Sequence, residues 1–347
     1  MPIANWRIYV EFDRWRVYCR SCRAVFVEKL DWLAWNPRYT KRFAAYIGEL
    51  CREGTHANVA EKERLNRQTV KDLDKMYMQQ QLEKAGLPAP RVIGVDEISI
   101  RKGHDYRIVV SDLERGRPIW VGGSGRKEED LDLFFVFLGP QKTRRIKQAV
   151  MDMWKPFRNS VTKHVPGVLI VYDKFHILRH LSDALDEVRR SEYRRLGEKD
   201  RAYIKGQRYT LLSNWANLSV DGRKGLRKLL KANKRINVAH PLKEQFGRLW
   251  AYQNEAWARR FFEKWRDSLK WQRLPSYEKF ARMIDRHWDG IVSYCHPDNK
   301  CSLGMVEGLN TKIRVIQRRA YGYRDEEFLK LKIIASFLPP LGRAELK

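Results

Sequence analysis

Hydrophobic and polar positions alternate through the middle of the chain in the way that β-strands require. Short apolar runs predict five strands, at residues 92–100, 106–112, 118–121, 149–153 and 168–173. Between the third and fourth runs, apolar residues recur at steps of three and four, which predicts a helix over 127–138. A second helix is expected around Pro156. The order β-β-β-α-β-α-β indicates a mixed sheet flanked by helices, a fold of the α/β class.

Three consecutive strands followed by alternating helices and strands are what an RNase H-like fold requires. We therefore expect an RNase H-like core whose first part spans residues 91–180 and whose last part spans 296–340. Residues 181–295 are predicted to be an α-helical insertion between the two parts. The stretch from Asp186 to Arg273 is strongly basic, with 23 Lys or Arg against 10 Asp or Glu. The predicted helical region is also rich in tryptophan, with Trp215, Trp250, Trp257, Trp265, Trp271 and Trp288.

Two groups of cysteines have spacings that zinc sites use. In residues 1–38, Cys19 and Cys22 lie between two segments that alternate like short strands, which is typical of one half of a zinc ribbon. A second pair is required for four ligands, and none lies nearby. Near the other end, Cys295-His296 and Cys301 are also an incomplete set. Zn²⁺ at Cys19 and Cys22 therefore remains an open expectation.

Residues 39–85 predict helices that end and begin at recognisable signals. Gly54 is a helix stop, and Asn66 is suited to cap a helix that carries polar and basic side chains. Those side chains, Arg67, Gln68, Thr69 and Lys71, are of the types that contact base edges and phosphates. The pattern resembles a helix-turn-helix, although Arg64 lies where a turn glycine is common. An ordinary three-helix bundle has the same pattern.

The charge of the chain indicates a polyanionic partner. Lys and Arg number 69 against 42 acidic residues among 347, giving a net charge of +27 and an isoelectric point near 10.0. This excess favours nucleic acid over a merely solubilising surface. Five cysteines are sparse and odd in number, which is typical of a reducing cytoplasm, and a DNA partner predicts nucleoid association. No apolar run is long enough for a membrane span, and the first residues do not resemble a signal peptide.

Cleaving a phosphodiester requires an activated nucleophile and neutralised charge on the phosphate, which two divalent ions on clustered carboxylates supply. Asp96 lies in the first predicted strand among apolar residues. A buried carboxylate without a partner is costly, so a metal ion or a cation is expected beside it. Glu97 faces the opposite side of the strand and is predicted to be solvated or paired with an arginine.

The second carboxylate has two candidates, Asp152 and Asp173. Asp152 ends the fourth predicted strand, which lies next to the first in a sheet of this order, whereas Asp173 ends the fifth, one strand further out. Geometry therefore favours Asp152 as a metal ligand. Asp173 is expected to pair with His176, three residues later, which could also contact the phosphate.

Glu307 is the third candidate carboxylate. It begins a segment in which Ile313, Ile316 and Ala320 form a helical stripe, and Gln317 shares the face of Glu307. A single acid in such a basic helix would place a carboxylate within a phosphate-binding surface. The polar and basic residues expected to contact DNA there are Asn310, Lys312, Arg314, Arg318 and Arg319.

Taken together, these segments resemble the transposases of the insertion-sequence family labelled IS-L-three, which are DDE transposases of bacteria. The resemblance runs in order from about residue 14 to 338. It is carried by residues 95–104 (VDEISIRKGH), 150–154 (VMDMW), 172–177 (YDKFHI) and 306–323 (VEGLNTKIRVIQRRAYGY).

The resemblance implies an RNase H-like domain whose Asp-Asp-Glu triad binds two Mg²⁺ ions, with Mn²⁺ as an alternative. The triad then falls on Asp96, Asp152 and Glu307, with Asp173 and His176 as accessory residues. The resemblance also implies a helical insertion, whose aromatic rings either stack on an extruded base or form a bundle core. The chain departs from the family in its incomplete zinc ribbon, of which only Cys19 and Cys22 are present.

The sequence therefore predicts an enzyme that binds terminal inverted repeats in double-stranded DNA, cleaves the element ends and joins them to target DNA. Bringing two ends together predicts a homodimer or a larger assembly. Two alternatives stay open: a non-catalytic DNA-binding relic or repressor, and an RNase H-like nuclease that cuts without joining.

Overall fold

The computed structural model describes residues 8–101, 105–197, 201, 204–299 and 303–341. The first element along the described chain is a small β-hairpin. Its strands, β1 (Arg16–Tyr18) and β2 (Val25–Val27), pair antiparallel, and every residue in them is exposed. Cys19 and Cys22 lie on the connection, where the amide of Cys19 donates to the carbonyl oxygen of Ala24 at 2.9 Å. The short strands predicted around the cysteine pair are therefore present.

Three capped helices follow the hairpin: α1 (Lys41–Glu53), α2 (His56–Glu63) and α3 (Arg67–Ala85). Asn66 caps α3 as predicted, since its side-chain oxygen accepts from the amide of Gln68 at 2.8 Å. The turn before it passes through Arg64 with φ 48° and ψ 48°, in the left-handed region that glycine usually occupies. An arginine therefore makes the turn for which the sequence offers no glycine.

A five-stranded mixed sheet forms the centre of the molecule, in the order β5-β4-β3-β6-β7. Its strands are β3 (Val92–Arg101), β4 (Asp105–Asp112), β5 (Arg117–Gly122), β6 (Gln148–Met151) and β7 (Leu169–Tyr172). The first three form an antiparallel meander, and β6 and β7 add in parallel on the other side of β3. The predicted succession of elements and the mixed sheet are confirmed, although β6 and β7 end one or two residues earlier than expected.

Alternation along the strands gives the sheet two covered faces. Ile93 and Val95 face a core formed with α4 (Glu128–Leu138) and α6 (Lys155–His164), and α5 (Pro140–Thr143) connects α4 to β6. The helix predicted at 127–138 is thus α4, which begins one residue later.

Between β7 and the last two helices the chain is helical, as predicted. The helices there are α7 (Lys174–Arg195), α8 (Arg208–Leu212), α9 (Val220–Ala232), α10 (Lys234–Phe246), α11 (Glu255–Asp267), α12 (Pro275–Arg286) and α13 (Trp288–Val292). Trp265 is 1% exposed and packs against Phe246 and Phe280, whereas Trp257 and Trp271 are 59% and 88% exposed. The aromatic rings are therefore divided between a bundle core and the surface.

The last two helices, α14 (Leu303–Arg319) and α15 (Glu326–Ala335), cover the second face of the sheet. Ile313 of α14 and Ile333 of α15 pack with Ile98 of β3 and Val109 of β4. These helices also contact the N-terminal three-helix module. They therefore lie between that module and the sheet.

Candidate active site

Asp96, Asp152 and Asp173 lie in register on three neighbouring strands. Val95, Met151 and Tyr172 pair with one another across the three parallel strands. Each aspartate directly follows one of these residues, so the three aspartates form the next row across the sheet. Neighbouring strands lie about 4.8 Å apart, which places the three backbone positions on a line about 10 Å long. Asp96 lies within β3, whereas Asp152 and Asp173 directly follow the carboxyl ends of β6 and β7. The strand geometry predicted for both second-position candidates is therefore present.

Helix α14 crosses the sheet beside this row and carries Glu307. By alternation, the aspartates share a face with Gly94, and a Cβ on Gly94 would lie 2.9 Å from Cγ2 of Val306. A side chain at position 94 would thus obstruct the approach of the helix. Glu307 directly follows Val306 and is exposed, whereas Asp173 is only 5% exposed.

Burial and repulsion between neighbouring charges perturb the carboxyl groups of Asp96 and Asp173. Burial raises the pKa of Asp96, and the charges of Asp173 and Asp152 add to the rise, against the opposing effects of the Glu97 amide and His176. Burial likewise raises the pKa of Asp173, with contributions from the charges of Asp152 and Glu307. Each of these partly buried carboxylates makes ionisation of the others less favourable. A divalent cation between them would offset that repulsion, and carboxylate oxygens are the ligands it prefers.

The Asp96 carboxylate is held by two donors. Its Oδ1 accepts from the backbone amide of Glu97 at 2.8 Å, and its Oδ2 accepts from the side-chain amide of Asn310. Asn310 is 4% exposed and lies one helical turn after Glu307 on α14. It is therefore placed against a carboxylate, a contact that its sequence pattern did not predict.

Glu97 points away from the row and is paired with an arginine, as predicted. Nη1 of Arg126 lies 2.7 Å from Oε1 of Glu97. The guanidinium of Arg126 also lies over the rings of Tyr106 and Trp154, and the indole N–H of Trp154 donates to the carbonyl oxygen of Arg126 at 2.8 Å. This network fixes the segment that follows Asp152.

Asp173 and His176 are neighbours at the start of α7. Oδ1 of Asp173 accepts from the amide of Phe175 at 2.8 Å and so caps the helix. Nδ1 of His176 lies 3.5 Å from Oδ2 of Asp173 and, although buried, lacks a hydrogen-bond partner among the described residues. The expected pair is present at ion-pair distance.

The residues predicted to contact DNA from the helix-turn-helix are differently placed. Arg67 and Gln68 are exposed at the start of α3, and Thr69 is half-buried beside them. Nζ of Lys71 lies 2.8 Å from Oδ2 of Asp325 and sits over the ring of Phe328. Lys71 thus contacts the C-terminal helices of its own chain.

The basic residues of α14 also divide into two groups. Arg314 and Arg318 are exposed. Lys312 donates to the carbonyl oxygen of Ser336 at 2.9 Å, and Arg319 donates to the carbonyl oxygens of Arg52 and Glu53 at the end of α1. Cations at a helix C-terminus satisfy its unpaired carbonyl groups, so Arg319 joins α14 to the N-terminal module.

A buried polar junction, formed by Cys51, His56, Asp74 and Lys332, was missed by the sequence patterns. The ligand atoms of Cys51, His56 and Asp74 lie within 4.8 Å of one another, as a metal site would need. However, the Lys332 ammonium lies 2.7 Å from Oδ2 of Asp74 and donates to the Cys51 carbonyl oxygen. Burial raises the pKa of the Cys51 thiol to about 12. An ammonium and a protonated thiol suit an ion-paired junction better than a metal ion.

The cysteines with zinc-like spacing do not form a complete set within the described residues. Cys19 and Cys22 are free thiols near one another, and hydrogen bonds with Cys22 lower the pKa of the Cys19 thiol. Cys295 is buried, His296 is exposed, and Cys301 lies outside the described residues. Two ligands at the hairpin are half of what structural zinc requires.

None of the helices in the described ranges combines the length and apolar character that a bilayer crossing requires.

Two family profiles match the chain. The profile described as "Transposase" matches residues 93–333. This range includes the sheet from residue 93 onward, the carboxylate row, α14, and α15 as far as residue 333. The profile described as "Helix-turn-helix domain of transposase family ISL3" matches residues 28–78. The second match assigns α1–α3 to a helix-turn-helix module rather than to an ordinary bundle.

Two curated relatives are similar over much of their length. The transposase for insertion sequence element IS1001 of Bordetella parapertussis is 33% identical over 341 residues, which cover 97% of this chain and 83% of that protein. The transposase for insertion sequence element IS1557 of Mycobacterium tuberculosis is 28% identical over 262 residues, which cover 69% of this chain and 58% of that protein.

Proposed function

This chain belongs to the transposase family ISL3 and carries a DNA-binding helix-turn-helix module, and we propose that it cuts the ends of its own element and joins them to target DNA. The observation that supports this most directly is the in-register row of Asp96, Asp152 and Asp173 beside the helix of Glu307. Carboxylates at the ends of adjacent strands are what hydrolysis of a phosphodiester requires.

We propose an RNase H-like core for the segments at 91–180 and 296–340. In this interpretation, residues 39–85 read DNA sequence and residues 181–295 are a helical insertion. The proposal rests on the three-stranded meander followed by two parallel strands. It also rests on the position of Glu307 next to the row that the strands form.

Asp96, Asp152 and Glu307 are proposed to hold two Mg²⁺ ions. Their carboxylate oxygens are the hard ligands that divalent cations prefer, and the charge of Asp152 helps to raise the pKa of Asp96. When bound, such ions supply an activated nucleophile and stabilise the leaving oxygen of the phosphodiester. The chain's own residues then have defined tasks. Asn310 and the Glu97 amide orient Asp96. Asp173, the last residue of the row, and His176 next to it are proposed to contact the phosphate or order a water molecule.

Recognition of the element ends is assigned to the exposed first turn of α3. Arg67 and Gln68 are exposed there, and the side-chain amide of Gln68 donates to Asp72 at 2.8 Å, a contact that it would exchange for a base edge. Thr69 is the proposed phosphate contact beside them. The buried junction and Arg319 join this module to α14. Because two ends must be cut together, we propose that a dimer or a larger assembly is the active form.

The test is Mg²⁺-dependent cleavage and joining of a labelled duplex that carries the inverted repeats flanking the gene. The expected result is that Asp96→Asn, Asp152→Asn and Glu307→Gln bind the duplex normally but neither cut nor join it. Glu129→Gln, which removes an exposed acid on α4, is the control and should behave as the wild type.

Three outcomes would contradict parts of this proposal. If Asp173→Asn abolishes cleavage and Asp152→Asn does not, Asp173 is the second ligand. Wild-type protein that binds the repeats and never cuts them would indicate a DNA-binding repressor. Cutting without joining, under conditions that supply target DNA, would indicate a nuclease.

A further inference from the structure

Helix α9 carries a row of exposed cations that the proposed function does not use. Lys224, Arg227, Lys228 and Lys231 recur at steps of three and four, so they share one face of the helix. All four are exposed, whereas Leu226 and Leu229 on the opposite face are buried in the core of the insertion. We call these four residues the basic ridge. It is about 10 Å long, and that length of duplex axis carries about six phosphate charges.

Three of the four ridge residues, Arg227, Lys228 and Lys231, have no acidic partner within the described residues, unlike the arginines around Asp186 and Glu192. Asp186 is surrounded by Arg189, Arg190 and Arg208, and Glu192 accepts from Arg235 at 3.0 Å. Within the described ranges, the nearest comparable contact on the ridge is that of Lys224 with the exposed Asp221, at 3.8 Å. The ridge therefore presents charge that the fold itself leaves uncompensated.

One ridge residue is also fixed in place by an aromatic ring. The guanidinium of Arg227 lies 5.2 Å from the ring centre of Trp215. Arg223, one helical turn earlier, also lies over that ring and donates to the carbonyl oxygens of Trp215 and Ala216. A cation held in this way loses less side-chain freedom when it binds a phosphate.

The length of α7 gives the distance between the carboxylate row and the basic ridge. That helix begins after Asp173, and Glu192, 19 residues later, accepts from the side chain of Asn233 at 3.0 Å. Asn233 directly follows α9, so the end of the ridge lies about 28 Å along α7 from the carboxylate row. At about 3.4 Å per base pair, this distance corresponds to about eight base pairs.

We propose that the basic ridge binds the phosphate backbone of double-stranded DNA about eight base pairs from the bond that is cut, without regard to sequence. The inference rests on the proposed function for the location of the cut, but not for the binding itself. Its ligand chemistry is that of consecutive backbone phosphates, which both the element's end and target DNA provide. A contact at this distance would align the duplex with the active site while the helix-turn-helix supplies sequence recognition.

The test compares two triple variants that remove the same charge. One is Arg227→Gln, Lys228→Gln and Lys231→Gln in the ridge. The control is Arg144→Gln, Arg145→Gln and Lys147→Gln, three exposed cations at the amino-terminal end of β6, opposite the end that precedes Asp152. Both variants are first compared with the wild type by circular dichroism and thermal unfolding, since surface substitutions should leave the fold intact.

Affinity for duplex DNA is then measured by fluorescence anisotropy across a range of salt concentrations. Each lost phosphate contact lowers the slope of log affinity against log salt by about 0.9. For the ridge variant, the slope should therefore be smaller than that of the wild type by about 2 to 3, both on a repeat-bearing duplex and on an unrelated one. The control variant should keep the wild-type slope. Loss on the repeat-bearing duplex alone would overturn the claim of sequence independence. Equal slopes for ridge variant and control would overturn the proposal.

Hydroxyl-radical footprinting on the repeat-bearing duplex locates the contact. Protection about eight base pairs from the cut should be present in the wild type and absent in the ridge variant. Protection that is unchanged, or that is lost elsewhere, would contradict the assigned position. Both measurements are repeated in the Asp96→Asn background, where no cutting is expected. If the ridge substitutions still reduce DNA binding in a protein that does not cut, the ridge proposal holds whether or not the catalytic proposal does.

Discussion

The side-chain amide of Asn310 donates to Oδ2 of Asp96, across the interface between α14 and the sheet. The other oxygen of the same carboxylate accepts from the Glu97 amide at 2.8 Å. Each oxygen keeps a further lone pair, so the two donors fix the orientation of the group without using up its capacity to bind a cation. Asn310 also follows Glu307 by one turn, and it therefore links the helix of one candidate ligand to the side chain of another.

Replacing Asn310 with alanine is expected to weaken Mg²⁺ binding and cleavage together. Outer partners of metal ligands typically contribute about 10- to 100-fold to affinity or activity. The measurement is a Mg²⁺ titration of the cleavage rate, with Mn²⁺ binding followed separately by electron paramagnetic resonance. Gln317→Ala, which removes another polar contact of α14 with β3, is the control. Unchanged Mn²⁺ affinity in Asn310→Ala would show that Asn310 does not position a ligand.

Lys332→Met is expected to destabilise the fold by breaking the buried junction. The ammonium is 6% exposed, and its loss leaves the almost fully buried carboxylate of Asp74 with only His56 as a partner. Removing one partner of a buried pair typically costs about 3–5 kcal/mol. The free energy of unfolding in urea measures this cost.

Lys330→Met on the same helix is the matched control for the junction. Its ammonium is more exposed and pairs with Glu326 and Glu327, so its loss should cost under about 1 kcal/mol. The double variant Lys332→Met with Asp74→Leu should recover part of the lost stability, because neither charge is then buried alone. Equal costs for Lys332→Met and Lys330→Met would refute the assigned role.

The strands and the carboxylate positions could be predicted because their signals are local. Alternation identifies a strand, and an acid at its end identifies Asp152 or Asp173. The Asp74–Lys332 contact joins residues 258 apart, so no local pattern could predict that these two residues pair. Lys71, Lys312 and Arg319 have the residue types of DNA ligands, yet tertiary packing directs them to contacts within the chain. A lysine between apolar residues of a helix, as at 332, was the one available signal.

Removing the charge of Asp96 is expected to stabilise the metal-free protein. Burial raises its pKa, so the folded state binds a proton more tightly than the unfolded state does. The free energy of unfolding therefore falls as pH rises from the ordinary carboxyl pKa through the raised value, and it stays lower above that range. At neutral pH, Asp96→Asn should melt a few degrees above the wild type in a chelating buffer, with a smaller difference near pH 4.

Added Mg²⁺ should make the wild type melt at a higher temperature than Asp96→Asn. A cation that binds only the folded state raises its melting temperature, and it should do so for the wild type but much less for Asp96→Asn. Differential scanning fluorimetry with and without Mg²⁺ measures both effects. A variant that is less stable than the wild type without metal would contradict the assigned cost of burying this carboxylate.

Gly94→Ala tests whether the close approach of α14 to β3 positions Glu307. The new Cβ would lie 2.9 Å from Cδ2 of Leu113 and from Cγ2 of Val306, so these groups must move. We expect α14, which carries Val306, to move with them. A displacement of about 1 Å in a catalytic group can cost about 100-fold in rate, and overpacking of this kind costs about 1–3 kcal/mol in stability. Cleavage of the repeat-bearing duplex and urea unfolding are the measurements.

The second variant in that experiment relieves the clash with α14. Adding Val306→Ala takes away the methyl group of the helix that the new Cβ meets, whereas the Leu113 methyl at the same distance does not belong to the helix. Cleavage should therefore recover in the double variant even though the core loses some packing. Gly247→Ala is the control, because a Cβ there meets no other group and its φ of −56° suits any residue. If Gly94→Ala loses stability but cleaves at the wild-type rate, the spacing between β3 and α14 supports the fold and does not set the position of Glu307.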